Sequence, residues 1–301
     1  MINNQKVLVV CGPTGVGKTA LAVKLVKKFN GEIVSADSRQ VYRGMDIITG
    51  KDLSDEIKIW LLDVTAPDEK FNVTDYYRLA WEKVEDIWQR GKLPIIVGGT
   101  GFYIKAVMDG LGTMGIGPDW GLRNELQRRT VSELQGILVK LDPERARKIN
   151  ESDKKNPRRL IRAIEIAKSG PIAKLERPNQ KVNKLFVGLT APYKTLYERI
   201  DQRVEERVQM GAEEEIKRLL AKGYEWDNSV LGTTIGYREW REYFEGKLSK
   251  KEVIQKWKFA EHNYGRRQMT WFKKIPGIKW FDITGTGWQE QVEKLVNNWY
   301  I

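Results

Sequence analysis

The 301-residue sequence contains one cysteine, one histidine and no long apolar run, and each shortage excludes a class of protein. Cys11 has no second cysteine with which to form an internal disulfide, which fits a reducing compartment. Cys11 and His262 are too few for a zinc site with the usual ligand spacing. The apolar run 7–11 is too short for a signal-peptide core, and no other run approaches a membrane span. We therefore expect a cytoplasmic protein with no membrane partner.

Basic residues outnumber acidic ones by a wide margin. The chain has 52 Lys and Arg against 40 Asp and Glu, a formal net charge of +12 and a pI near 9.5. A surplus of this size favours polyanionic partners such as nucleic acid, through long-range attraction and counterion release. It is equally compatible with a basic protein whose lysines are simply solvated. Charge alone therefore leaves both alternatives open.

The first hundred residues alternate apolar, strand-like runs with helical patterns, which is typical of a parallel α/β sheet. Strands are predicted at 6–11, 32–36 and 93–97. Helices are predicted from the turn after the first strand to about residue 29, and at 74–90.

After residue 110 the sequence changes character. A glycine-dense segment is followed by helical, charge-rich sequence without a convincing strand until 185–189. We therefore predict an α/β fold in which 1–111 and 184–301 form a parallel-sheet core with C-terminal helices. Residues 112–183 are predicted to form an inserted helical domain.

Two long helices are predicted after the insertion. The first covers 193–222, where Arg199, Arg203 and Arg207 recur every four residues and therefore share one stripe. The second is opened by the capping box Ser249–Glu252 and runs to about residue 274. This helix and the segment 145–162 are rich in Lys and Arg, so they are candidates for tracking RNA phosphates or for ordinary solvated faces. The interleaved Trp257 and Trp271 are predicted to pack in the core.

The turn after the first strand matches the phosphate-binding pattern G-x-x-x-x-G-K-[ST] in full. It lies between a buried strand and a helix, where backbone N–H groups and the helix N-terminus can face an anion. The lysine would supply a positive charge and the threonine hydroxyl a ligand for Mg²⁺. The predicted diphosphate- or nucleotide-binding residues of this P-loop are Gly12, Pro13, Thr14, Gly15, Val16, Gly17, Lys18 and Thr19.

The P-loop does not identify the phosphate compound that is bound. Most such loops hold ATP or GTP, and many of those proteins have an apolar strand ending in a metal-binding aspartate. The run 59–63 ends in Asp63, so a small-molecule kinase or NTPase that uses Asp63 as a metal ligand stays an alternative.

Asp37 follows the predicted strand 32–36. Ligands of open α/β sheets bind outside the carboxyl ends of the strands, so Asp37 is expected to face the same crevice as the P-loop. A carboxylate there can accept a proton from an incoming nucleophile. An aspartate that only stabilises an Asx turn is the plainer alternative.

Seven segments together resemble the bacterial tRNA dimethylallyltransferases, in the same order and over nearly the whole chain. They are GPTGVGKT, SADSRQVYRGMDI, GKLPIIVGGTGFYIKA, NPRRLIRAIEI, LYERIDQRVEERVQMG, IGYRE and YGRRQMTWF. The resemblance implies transfer of a dimethylallyl group from dimethylallyl diphosphate to N6 of the adenosine 3′-adjacent to the anticodon of tRNA, with Mg²⁺. It also implies that the P-loop holds the diphosphate, with Thr19 on the metal.

The resemblance further implies roles for individual residues. Asp37 is the expected general base, Thr100 lines the reaction channel and Arg203 lies near the diphosphate. We expect the adenosine to be extruded from the anticodon stem-loop into this channel, because a stacked base cannot present N6 to a buried site. We expect the protein to act as a monomer. The residues implied to contact tRNA are Asp37, Ser38, Arg39, Gln40, Arg123, Arg158, Arg159, Leu160, Ile161 and Arg162.

Overall fold

A six-stranded parallel sheet is the centre of the fold in the computed structural model, which describes residues 5–51, 57–113, 115–170 and 182–301. The spatial order of the strands is β3-β2-β4-β1-β5-β6, and every paired neighbour is parallel. This confirms the predicted α/β class. The strands are β1 (Lys6–Cys11), β2 (Gly31–Ser35), β3 (Ile59–Trp60), β4 (Leu93–Gly98), β5 (Asn183–Thr190) and β6 (Lys279–Asp282).

Thirteen α-helices and one 3₁₀ turn, Val230–Thr233, lie in the described part of the chain. None of these helices is both long and apolar enough to cross a membrane. The helices before β5 are α1 (Lys18–Phe29), α2 (Val73–Gln89), α3 (Gly101–Asp109), α4 (Trp120–Leu126), α5 (Val131–Leu141), α6 (Pro143–Lys148), α7 (Glu151–Lys154) and α8 (Pro157–Lys168). Those after β5 are α9 (Tyr193–Gln209), α10 (Ala212–Ala221), α11 (Tyr237–Phe244), α12 (Lys250–Phe272) and α13 (Trp288–Tyr300).

Alternate residues of the buried strands form two separate cores. Val7 and Val9 of β1 pack with α2 and α3 on one face of the sheet. Leu8 and Val10 pack with α1, α9 and α13 on the other. Successive side chains of a strand point to opposite faces, so a strand covered on both sides must be apolar throughout. A third cluster joins α10, α11 and α12 to the loop that follows β2.

Two of the predicted elements were wrong in extent. The helix expected at 193–222 is broken between α9 and α10, because Gly211 adopts a left-handed backbone with φ of 101°. The strand expected at 59–63 ends at Trp60, because Leu61 and Asp63 have positive φ values that no strand accommodates. The capping box at Ser249 is present and opens α12 as predicted.

The described chain divides into two compact units. One comprises residues 1–109 and 181–301 and contains the whole sheet, and the other is Gly110–Gln180. The second unit consists of α4 to α8 around its own small core, in which Leu134 and Leu138 of α5 meet Leu160 and Ile164 of α8. The helical unit thus has its own apolar contacts.

Candidate active site

A cavity of about 940 Å³ opens at the carboxyl ends of β1, β2 and β4. The P-loop forms one wall, and the segment after β2 forms another. The stripe of α9 that carries Arg199 and Arg203 faces both, together with the stripe of α12 that carries Tyr264 and Gln268. Cationic side chains outnumber acidic ones in the lining, so the cavity is suited to an anionic ligand.

The backbone of the P-loop requires glycine at specific points. Gly17 precedes α1 with φ of 89°, which turns the chain into the helix. Gly12 lies so close to β5 that a Cβ there would sit 2.5 Å from the Leu189 carbonyl oxygen. Five of the eight predicted P-loop residues line the cavity: Thr14, Gly15, Gly17, Lys18 and Thr19. Gly12, Pro13 and Val16 are buried behind them.

The pKa of Lys18 lies below the usual value for a lysine. Its ammonium group donates to the Pro13 carbonyl at 2.8 Å. Burial, and next the Arg203 guanidinium, lower the pKa of Lys18 to about 8, while Asp37 acts in the opposite direction. The lysine therefore loses much of its charge in mildly alkaline solution, until an anion enters the site.

Asp37 lies in the first turn after β2 and lines the cavity. Its Oδ1 accepts the Arg39 backbone N–H at 2.8 Å, which is the Asx turn considered above. Among the described residues, no group donates to Oδ2. The turn therefore fixes the orientation of the carboxylate and leaves one oxygen available, so the Asx turn is present and is compatible with a role of Asp37 as a base.

Thr100 supports the Asp37 turn and is not among the residues that line the cavity. Its hydroxyl accepts the Ser38 backbone N–H at 3.0 Å and its own N–H donates to the Ala36 carbonyl. The Tyr264 phenol of α12 lies near the Thr100 side chain, and burial raises the pKa of this phenol. Thr100 thus connects the loop after β4 to the backbone on both sides of Asp37.

The three arginines of the α9 stripe all line the cavity, but their environments differ. Arg199 donates to the Gly15 carbonyl at 2.9 Å, and Arg207 forms an ion pair with the buried Glu261 at 3.4 Å. Arg203 has no hydrogen-bond or ion-pair partner within the described ranges. Burial and the neighbouring Arg207 lower the pKa of Arg203 to about 10, so its guanidinium remains charged at neutral pH.

Three further predicted residues, Ser38, Arg39 and Gln40, line the same cavity. Gln40 donates from Nε2 to the carbonyls of Thr49 and Gly50 at 3.3 and 3.1 Å. It therefore positions the 46–51 loop in this structure.

That loop is also held by Glu215, which the sequence analysis did not identify. Its fully buried carboxylate accepts the backbone N–H groups of Asp46, Ile47 and Ile48 and the Tyr237 hydroxyl. Three amide donors satisfy a buried carboxylate that would otherwise be costly. Glu215 thereby joins α10 to the cavity wall.

Gln268 of α12 is a second residue that sequence reasoning missed. Its Oε1 accepts the Thr14 backbone N–H at 2.8 Å, and its Nε2 donates to the Gly99 carbonyl at 3.0 Å. The side chain therefore bridges the P-loop and the loop after β4. Its position within the YGRRQMTWF segment is the only signal in the sequence that pointed to it.

We predict that Gln268→Met, which keeps the side-chain length and removes both hydrogen bonds, lowers kcat/KM for the phosphate substrate about 30-fold, since the two bonds together contribute about 2 kcal/mol. Gln255→Met is the matched control, because Gln255 is exposed on the same helix. Steady-state kinetics of the two variants provide the measurement. Equal values for both would show that the bridge does not position the P-loop.

Asp63 does not occupy the place that the kinase alternative requires. Its carboxylate forms an ion pair with the Lys51 ammonium at 2.5 Å, and the Lys51 side chain is fully buried. Of the residues described, those that line the cavity do not include Asp63. In this structure Asp63 is thus paired with Lys51, which lines the cavity, and does not line the cavity itself.

The predicted tRNA contacts in the helical unit differ in accessibility. Glu165 is buried and accepts from both Arg123 and Arg162, with Arg123 bidentate at 2.6 and 2.8 Å. The neighbouring Leu160 and Ile161 are only 1% and 5% exposed and pack in the core of the unit. A side-chain contact to RNA from these two apolar residues is therefore not available.

Exposure in this segment is concentrated at the start of α8. Arg158 and Arg159 are exposed, and Arg159 forms an ion pair with Asp153. Arg158 is therefore the first candidate in this segment for an electrostatic contact with RNA.

Similarity to known proteins covers nearly the whole chain. Residues 40–275 match the model of the IPP transferase family. The chain is 40% identical to a tRNA dimethylallyltransferase of Roseiflexus sp. (strain RS-1), over 97% of this chain and 98% of the relative. It is 38% identical to a tRNA dimethylallyltransferase of Thermomicrobium roseum, over 98% and 92% of the two chains.

Solved structures agree with these matches. The full-length tRNA isopentenylpyrophosphate transferase of Bacillus halodurans superimposes with a TM-score of 0.73 at 35% identity, covering 98% of this chain and 96% of that one. A eukaryotic dimethylallyltransferase acting on tRNA gives a TM-score of 0.83 at 28% identity, covering 98% and 79%.

Proposed function

The chain belongs to the IPP transferase family, and we propose that it transfers a dimethylallyl group from dimethylallyl diphosphate to N6 of the adenosine 3′-adjacent to the anticodon of tRNA. Diphosphate is the second product. The observation that carries the proposal is a single cavity in which Asp37 faces a P-loop and Arg203, an arginine that has no partner among the described residues. An anion-binding site beside an available carboxylate oxygen suits a reaction that releases diphosphate and removes a proton.

Departure of diphosphate builds negative charge on its oxygens. We assign its stabilisation to the P-loop backbone amides, the Lys18 ammonium and the Arg203 guanidinium, which are in place before the reaction begins. Arg203 is suited to this role because no side chain in the described part of the chain pairs with its guanidinium. Arg199 contributes indirectly, because its guanidinium donates to the Gly15 carbonyl of the P-loop.

Removal of the N6 proton is assigned to Asp37. The Asx turn occupies Oδ1 and directs Oδ2 as the acceptor, so the base is oriented before the adenine arrives. The carbon under attack is allylic and tolerates positive character, whereas adenine N6 is a weak nucleophile. Positioning of the two reactants therefore contributes much of the acceleration.

Magnesium fits the residues at the P-loop. The Thr19 hydroxyl lines the cavity beside Lys18, and Mg²⁺ is commonly held by one or two protein oxygens together with substrate phosphate oxygens. The described residues contain no cluster of three His, Cys, Asp or Glu that could hold a metal without substrate. When bound with the diphosphate, Mg²⁺ would neutralise charge on the leaving group.

We propose that the tRNA partner is contacted at its anticodon stem-loop by Ser38, Arg39 and Gln40 and by the helical unit through Arg158. We further propose that the protein acts on tRNA in the cytoplasm as a monomer. The high net positive charge supports binding of a polyanion.

The direct test uses radiolabelled dimethylallyl diphosphate, unmodified tRNA and Mg²⁺, followed by mass spectrometry of the tRNA nucleosides. The expected product is N6-dimethylallyladenosine at the position next to the anticodon. Absence of label in tRNA, with hydrolysis of ATP or GTP instead, would support the kinase or NTPase alternative.

Binding of dimethylallyl diphosphate is predicted to take up a proton. The pKa of Lys18 is about 8 in the empty site, and an anionic ligand favours the charged lysine and raises this pKa. Lys18 is therefore expected to take up about half a proton per site at pH 8. Affinity falls as the pH rises through 8, because the empty site must then bind a proton as well as the ligand.

Calorimetric titrations in two buffers of different ionisation enthalpy measure this uptake. The titrations are made at pH 8, because the phosphate groups of the ligand, whose last pKa lies near 6, are then almost fully ionised before they bind. Lys18→Arg is the matched control, because its guanidinium stays protonated throughout this range. Uptake by Lys18→Arg equal to that of the original protein would assign the proton to another group.

A further inference from the structure

Two exposed aromatic side chains lie where α3 meets α12. Phe102 is 43% exposed and Trp271 is 38% exposed, and their rings meet edge to face with centroids 6.2 Å apart. The sequence had predicted Trp271 as a core residue, like Trp257, which is fully buried. The exposure of Trp271 therefore corrects that prediction and leaves an aromatic surface without a partner in the described chain.

The pair is continuous with the candidate active site. Trp271 follows Tyr264 and Gln268 at positions i+7 and i+3 of α12, so the three side chains share one stripe of the helix. Tyr264 and Gln268 line the cavity. The Trp271 indole lies directly against Gly101, where a Cβ would overlap it, and Gly101 follows Thr100. The aromatic pair is thus at the rim of the cavity, beside the loop after β4.

Three exposed cations lie close to the pair along the two helices. Lys105 is exposed one turn after Phe102 on α3, and Arg267 and Lys274 are exposed on either side of Trp271 along the chain. None of the three forms an ion pair with a described residue, and Arg267 also lines the cavity. We call Phe102, Lys105, Arg267, Trp271 and Lys274 the α3–α12 patch.

Exposed aromatic rings interleaved with unpaired cations are suited to single-stranded nucleic acid, in which bases stack on the rings and phosphates meet the cations. A folded protein partner with an acidic face would not require exposed rings at the entrance to an active site. The nucleic acid that has to enter this site is a loop from which one adenosine has been extruded, so its neighbours have lost a stacking partner.

We propose that the α3–α12 patch binds the anticodon loop and that Trp271, supported by Phe102, stacks on a base that flanks the extruded adenosine. This proposal rests on the proposed function and adds a second RNA-binding surface to it. Stacking replaces the contact that the flanking base loses, which favours the open loop over the stacked one. Lys105, Arg267 and Lys274 contact the loop phosphates.

The test uses anticodon stem-loops with 2-aminopurine immediately 5′ or 3′ of the target adenosine, because the fluorescence of this base is quenched by stacking. We expect the bound loop to be about threefold brighter with Trp271→Ala than with the original protein at one of the two positions. Trp271→Phe is expected to restore quenching in part. In steady-state transfer, Trp271→Ala is expected to raise KM for RNA about tenfold and to leave KM for dimethylallyl diphosphate unchanged.

Phe259→Ala is the matched control, since Phe259 is 56% exposed on the same helix and meets His262 edge to face. It is expected to change neither measurement. If Trp271→Ala has a lower melting temperature than the control, the same two measurements are made with Phe102→Ala and Lys105→Glu.

Variants of the patch that match Phe259→Ala in both fluorescence and KM for RNA would overturn the proposal while leaving the transferase activity intact. Failure of the original protein to label tRNA is a different outcome, since it would remove the proposed function and this inference with it.

Discussion

Asp37→Asn is expected to lower kcat for dimethylallyl transfer about 1,000-fold, which corresponds to about 4 kcal/mol of activation free energy. The asparagine amide keeps an oxygen that can accept the Arg39 N–H, so the turn after β2 is retained. The amide cannot accept the proton of adenine N6. The substitution therefore removes the base and preserves the geometry, and the affinity for tRNA is expected to change less than threefold.

A matched control is available at the edge of the sheet formed by β6. Asp282 ends β6 and accepts the Thr284 N–H at 2.9 Å, the same Asx turn at the same end of a strand, outside the cavity. Asp282→Asn is expected to retain full activity. Single-turnover transfer with saturating tRNA measures the chemical step for both variants. A rate for Asp37→Asn within tenfold of the Asp282→Asn rate would show that Asp37 only shapes the turn.

Arg203→Gln is expected to lower kcat/KM about 300-fold and to weaken inhibition by inorganic diphosphate, because it removes a charged donor from the leaving group. Arg203 has no partner among the described residues, so its loss leaves no buried carboxylate uncompensated. The free energy of unfolding is therefore expected to change by less than about 0.5 kcal/mol. Urea unfolding and steady-state kinetics of the same preparations measure the two effects.

Arg207→Gln, on the same helical stripe, is expected to lower the free energy of unfolding, unlike Arg203→Gln. Arg207 and Glu261 are 9% and 10% exposed and form an ion pair, so the substitution leaves a buried carboxylate without its cation. Breaking such a pair is expected to cost about 3 kcal/mol of stability. A similar loss of catalysis in both variants, with no difference in stability, would show that the arginine stripe acts as a single cluster of charge.

Short patterns in the sequence correctly predicted much of the core. Strands β1, β2, β4 and β5 and helices α1, α2 and α12 were predicted because apolar periodicity, a glycine turn and a capping box are encoded by neighbouring residues. The break at Gly211 was missed, since a glycine within a helical pattern is compatible with both a helix and a left-handed turn. Strand β6 was missed because this edge strand has only four residues, and no element was predicted for the segment that forms helix α13.

The sequence alone determined the components of the candidate site: a phosphate-binding loop, a carboxylate at the end of β2 and three arginines on one stripe. Which of these groups is available was decided by the tertiary structure. Glu261 lies 54 residues from Arg207 along the chain, and Gln268 lies 254 residues from Thr14. Residue spacing specifies only which side chains share a face of one element. The carboxylate that pairs with Arg207 comes from another helix, and the exposure of Trp271 depends on how α12 packs against its neighbours. Both are decided by the packing of elements that are distant in the sequence.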